Sequence, residues 1–217
     1  MLTRTRIIIA CVAALMLGSG GTAARAATAT TWSVTPGQGF SGSSSSKVTF
    51  TDTATGSELV CSSSSISGKL RSGSGLAGTH IASITAFSFG PASSCTIGGG
   101  VEDFTLTTGY DFPYYLDAGS YDAASGETTA TVTGFVAALT GNSCNAAIWG
   151  TGDTTPGAVK GKYTNSTRKL KIITSGSTLH PYHLNPDCAA FLFWHNGDPV
   201  TMSGTYTITP AQAITSS

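Results

Sequence analysis

The sequence predicts an all-β protein: one antiparallel domain, a β-sandwich or closed β-barrel of roughly ten to twelve strands, held by disulfides. Three observations predict it. Apolar and hydroxyl residues alternate with period two along most of the chain. Turn signals rich in Gly, Asn and Asp separate the alternating runs. Four well-spaced cysteines follow an export-like leader.

The leader comes first in order. Arg4 and Arg6 precede the apolar run IIIACVAALML, and Ala24-Arg25-Ala26 has the small-x-small form of a signal peptidase site. Residues 1–26 therefore read as a secretory signal peptide and residues 27–217 as the all-β extracellular domain. The run is too short to remain as a spanning helix. Cys11 lies inside it and takes no part in the fold. No second run reaches spanning length, so the expectation is a secreted, extracellular protein with no integral membrane segment after cleavage.

The strands announce themselves by their faces. Trp32 and Val34 share one face, and Val48 and Phe50 share another. Phe104 with Leu106, Val159 with Tyr163, Leu170 with Ile172, and Met202 with Tyr206 and Ile208 repeat the pattern, set against Thr and Lys. One apolar and one hydroxyl face is the mark of antiparallel sheet with a wet side. Asp52-Thr-Ala-Thr-Gly56 and Asp122-Ala-Ala-Ser-Gly126 are near-copies, and both predict hairpin loops in which Gly takes a positive φ. Asn165-Ser166-Thr167 predicts a third hairpin. Asn196-Gly197-Asp198-Pro199 predicts a turn before the last long strand. Gly134 shifts the phase of TATVTGFVAAL and predicts a bulge. No stretch shows a helical stripe; the most helix-tolerant is Phe135–Leu139. The segments Trp32–Pro36 and Tyr206–Pro210 echo each other in pattern.

Cys61, Cys95, Cys144 and Cys188 allow three pairings. Proximity along the chain favours Cys61–Cys95 and Cys144–Cys188. Each would close a loop of about 35–45 residues, worth up to about 4 kcal/mol in the chain-entropy picture.

The chain has 217 residues, with 11 basic and 11 acidic side chains and only 10% charged residues. Without the leader, 8 basic and 11 acidic residues remain. A chain this neutral carries no footprint for nucleic acid. Its 40% hydrophobic content is ample for a core and excludes compositional disorder.

The segments WSVTPG, DTATG, YTNST, NGDP and SGTYTITPAQ, with the four cysteines, together resemble a group of uncharacterised exported actinomycete-type secreted proteins. The resemblance covers most of residues 27–217. It implies secretion by a Gram-positive-like cell. Its motifs are structural, and it implies no activity and no site residue.

The residues themselves nominate one binding stretch, GYDFPYYLDAGSY. Tyr110, Asp111, Tyr114, Tyr115 and Asp117 interleave rings with carboxylates. Tyr rings stack on the C–H face of sugars, and acids bond their hydroxyls. The competing reading is that these rings cover the end of the sheets. Three histidines crowd together as His180, His183 and His195, near Asp187 and Asp198. His180 and His183 would face one metal on a helix, but on a strand they point to opposite sides. No metal site and no cofactor is expected. The sequence has no G-x-S-x-G elbow, and no pair of acids stands out as a catalytic set. Thr-rich runs lack the regular repeat of an ice-binding array. Arg168, Lys169 and Lys171 read as charges protecting an edge strand.

The leading expectation is a non-catalytic secreted protein that binds an extracellular surface or glycan, with carbohydrate or cell envelope as partner. The alternatives are a hydrolase built on the His180–Asp198 region and an assembly component of the envelope. Oligomeric state has no signature in the sequence.

Overall fold

A computed structural model describes residues 30–97, 100, 102–109 and 112–217, without the side chain of Phe191. The signal-peptide reading lies outside the described residues, as do Tyr110 and Asp111.

Eighteen strands and one short helix occur among the described residues. The first nine strands are β1 (Trp32–Thr35), β2 (Gln38–Ser44), β3 (Val48–Asp52), β4 (Glu58–Cys61), β5 (Ser65–Leu70), β6 (Gly73–Leu76), β7 (Ala82–Ser88), β8 (Cys95–Ile97) and β9 (Glu102–Thr108). Then come β10 (Tyr114–Asp122), β11 (Glu127–Phe135), β12 (Ala137–Gly141), β13 (Asn145–Trp149), β14 (Gly157–Thr164), β15 (Lys169–Ile173) and β16 (His180–Tyr182). The chain finishes with helix α1 (Pro186–Leu192), β17 (Val200–Thr209) and β18 (Ala213–Ser216). Several strands have only three or four residues, too short to alternate visibly, and so escape a count based on period.

All pairings are antiparallel. Eight strands close a barrel in the order β15, β14, β11, β10, β7, β5, β2, β17, and β15 pairs with β17 to complete the ring. A second sheet starts on the first half of β17 and continues through β3, β4, β8, β9, β12, β13 and β16. Leu179, just before β16, bridges to Val200 and brings that far strand back beside β17. Strand β17 is thus common to both sheets. Its residues Val200–Ser203 pair with β3, and Gly204–Thr207 pair with β15. A small sheet of β18, β1 and β6 lies at one end of the barrel. There Ile214 and Gln212 line an apolar cavity of about 40 Å³ together with Phe40, Leu70 and Tyr163.

The expected faces are where the alternation puts them. Val159, Tyr163, Leu170, Ile172, Tyr206 and Ile208 are buried inside the barrel. The residues between them on β14 and β15 are lysines, exposed or half-buried on the outer wall. Apolar inside and charged outside is the reverse of a barrel whose wall faces lipid. An aromatic cluster joins the two sheets. Phe50 of β3 meets Phe89 at 5.4 Å between centroids, Phe87 meets Phe89 at 4.7 Å, and Tyr114 meets Phe135 at 5.8 Å. Tyr206 joins the cluster through Phe87 and donates its hydroxyl proton to Ser64 Oγ at 3.0 Å. Burial holds that phenol above its ordinary range.

The turns also match. The two Asp-to-Gly loops join β3 to β4 and β10 to β11, with φ of 75° at Gly56 and 66° at Gly126. Gly134 has φ 90°, and the β11–β14 register slips there, which is the bulge. Disulfides link Cys61 to Cys95 and Cys144 to Cys188. Both lie in the second sheet or against it. They fit an oxidising compartment. The echoing segments both end in a cis Thr–Pro bond, at Pro36 and Pro210.

Phe135–Leu139, the most helix-tolerant stretch, is the end of one strand and the start of the next, in keeping with its β-rich flanks. One expectation changes: a short helix forms at Pro186–Leu192, with Asn185 before it and Pro186 in its first turn. That Asn-Pro start is a legible signal. Seven residues are too few to carry a stripe, and the helix is anchored by the Cys188 disulfide. No helix among the described residues is long and apolar enough to cross a membrane.

Candidate functional site

The predicted tyrosine stretch divides by parity. Leu116 and Ala118 of β10 line the barrel cavity, so Tyr114 points inward with them. It is fully buried and donates its hydroxyl proton to the Val136 carbonyl at 2.7 Å. Tyr114 is therefore a packing residue and stands apart from the surface it was expected to share. Tyr115 and Asp117 point to the outer wall. Tyr115 is 38% exposed, and Phe193 is the other large exposed apolar side chain among the described residues.

The loop before β7 completes this surface. Gly78 accepts the N–H of Ala118 at 2.8 Å, and its own close approach to Trp32 leaves no room for a Cβ. His80 then donates its backbone N–H to Asp117 Oδ1 at 2.6 Å. Its φ of 50° is unusual for a residue with a side chain. That conformation lays the imidazole flat on Tyr115, with centroids 4.2 Å apart and planes 22° apart. His80 escaped the sequence reading because it lies 35 residues from Tyr115 and only the fold joins them.

Beside this stack the wall opens into a groove of about 410 Å³. Asp117 faces Thr131 on β11, and Thr131 faces Lys160 on β14, in one cross-strand row. Thr131 and Lys160 line the groove with Thr129, Gly119, Gly161 and Ser175. The groove exists because small residues floor it and β10 bulges between Ala118 and Tyr121. The wall therefore presents a flat ring, a carboxylate, hydroxyls and an ammonium group together. That set can stack on one face of a ligand and hydrogen-bond its edge.

The histidine region is organised differently. His180 donates from Nδ1 to the Gly197 carbonyl at 2.9 Å. His183 Nε2 lies 4.0 Å from Asp153. His195 meets Asp198 Oδ2 at 3.1 Å through Nδ1 and at 2.8 Å through its backbone N–H. Each ring has its own separate partner, and no group of three ligands that could hold a metal occurs among the described residues. Sequence reading missed one residue here. Asp52, fully buried at the end of β3, lies near the Asp198 carboxyl, and its Oδ2 has no hydrogen-bond partner among the described residues. Burial first, and the adjacent Asp198 carboxyl after it, raise its pKa, against the opposing N–H bonds from Ala54 and Thr55. The two acids are 146 positions apart in the chain, and local pattern gives no sign of their meeting.

No family model, curated protein or solved structure matches the chain.

Proposed function

We propose that this is a secreted, non-catalytic protein that binds an extracellular glycan on the outer wall of its barrel. The observation that carries the reading is the Tyr115 ring, exposed and held flat by His80 beside Asp117. A ring already fixed loses little entropy when a sugar stacks on it, and rigid aromatic anchors are what such surfaces use. The adjoining groove supplies hydroxyl and amine partners for the sugar edge. Export fits the leader and the two disulfides.

The test is sedimentation of the chain from Ala27 onward, which keeps every described residue, with insoluble polysaccharides and with purified cell wall. Tyr115→Ala should abolish retention and leave the melting temperature within about 1 °C, because an exposed ring adds little to the core. Retention unchanged in that variant would remove Tyr115 from the site.

A hydrolytic reading stands second, on the Asp198–His195 pair and the buried Asp52 beside it. Both carboxyls are occupied within their own turns, since Asp198 accepts the His195 N–H and Asp52 accepts those of Ala54 and Thr55. Turnover lost in His195→Ala would promote it.

A further inference from the structure

The basic residues of this chain are unevenly placed. Eight lie beyond the leader, and five of those eight are Lys160, Lys162, Arg168, Lys169 and Lys171. All five belong to one hairpin, β14–β15 with its turn. The four lysines share a face. Lys162 stands opposite Lys171, and Lys160 lies two residues from Lys162 on the same side. Lys169 lies two residues from Lys171. Successive same-face residues are about 6–7 Å apart along a strand, and neighbouring strands lie ~5 Å apart, so the ammonium groups form one compact field.

The ordinary explanation for lysines on such a strand is protection of an exposed sheet edge. It fails here, because β15 is bonded to β14 on one side and to β17 on the other. The closed barrel gives these lysines no edge to guard. Nor are they neutralised internally. Glu127 pairs with Lys162 at 2.7 Å, whereas Lys160, Lys169 and Lys171 have no carboxylate within ion-pair range among the described residues. Their cross-strand neighbours are hydroxyls: Thr131 beside Lys160, Thr205 beside Lys171, and Thr207 beside Lys169. Lys160, Lys169 and Lys171, with no ion-pair partner of their own among the described residues, repel one another, and an anionic partner relieves that repulsion.

We infer that the β14–β15 face, continuous with the groove through Lys160, docks an acidic polysaccharide. This rests on the glycan reading above and specifies the class of glycan. The sugar rings would pass over Tyr115 and the groove, and the carboxylates would meet Lys160, Lys169 and Lys171, with threonine hydroxyls between them.

The experiment uses polygalacturonate and its fully methyl-esterified form, which share a backbone and differ in charge. Binding of the chain from Ala27 onward is measured by affinity electrophoresis at low and at physiological salt. The inference expects the acid form to bind at least tenfold tighter than the ester, and the advantage to shrink with salt as the charges are screened. Lys160→Gln with Lys171→Gln should remove that advantage while the melting temperature holds. Equal binding of acid and ester would overturn the inference and leave the glycan reading standing. Absence of binding to either polymer would overturn the inference, and absence of retention by the insoluble polysaccharides and cell wall would overturn the glycan reading with it. Equally tight binding to vesicles rich in phosphatidylglycerol would also overturn it, by making a lipid surface the occupant.

Discussion

The loops Asp52–Gly56 and Asp122–Gly126 are nearly the same sequence in two places, with opposite electrostatics. Each Asp caps its own turn: Ala54 donates to Asp52 Oδ1 at 2.7 Å, and Ala124 donates to Asp122 Oδ1 at 3.0 Å. Each turn ends in a Gly with positive φ. Yet the Asp52 carboxyl is held above its usual range, and the Asp122 carboxyl below it. The difference comes from what surrounds each loop. Asp122 is in solvent, and its other oxygen accepts the Ser125 hydroxyl at 2.7 Å. Asp52 is sealed under the turn that leads into β17, where Thr53 bonds the Pro199 carbonyl at 2.9 Å and Asp198 crowds the carboxyl. A local motif sets the shape of a turn, and the tertiary neighbours set its charge.

The largest effect should come from removing the buried cap. At pH 4, Asp52→Ala should cost about 2 kcal/mol, or roughly 4–8 °C in melting temperature, by stripping the acceptor from two N–H groups. Asp122→Ala should cost less, because water replaces the lost acceptor. Equal losses would mean the burial of Asp52 is irrelevant. The shared geometry is tested next. Gly56→Ala and Gly126→Ala should each cost about 1 kcal/mol, or ~2–4 °C, since backbone strain is what is at stake: the space is open at Gly56, and a Cβ at Gly126 meets only Asn165 Cβ, at 4.0 Å. Unequal losses would show that the turns differ in backbone as well as surroundings.

The smallest effects carry the sign of the difference. A carboxyl with a raised folded pKa stabilises the fold below its unfolded value, and that contribution is lost as pH rises through the folded one. Asp52→Asn, which keeps the cap, should therefore raise the melting temperature at pH 7 and match the wild type near pH 3.5. Asp122 obeys the opposite rule: its contribution is present above the unfolded pKa and fades as pH falls. Asp122→Asn should lower the melting temperature slightly at pH 7 and lose its effect in acid. Thermal melts across that range decide both.

The legible parts of this molecule were local. Alternation identified the faces of β14, β15 and β17, a single glycine marked the bulge at Gly134, and near neighbours formed the disulfides. Closure was hidden because it depends on Lys169–Ile172 meeting Gly204–Thr207, a pairing with no local mark. Part of the site was within reach. Period two from Leu116 and Ala118 assigns Tyr114 to the interior and Tyr115 with Asp117 to the wall. His80, Thr131 and Lys160 were beyond it, since each joins the site across a strand boundary. The lysines were visible in sequence but their meaning was not, because edge and wall strands read alike until the partners are known.

Strand β17 has a consequence for how the chain becomes a protein. It completes both sheets, and it occupies residues 200–209 of 217. Without β17 each sheet exposes the row of bonding groups that this strand occupies, so a chain that stops short of Val200 leaves both sheets open at once.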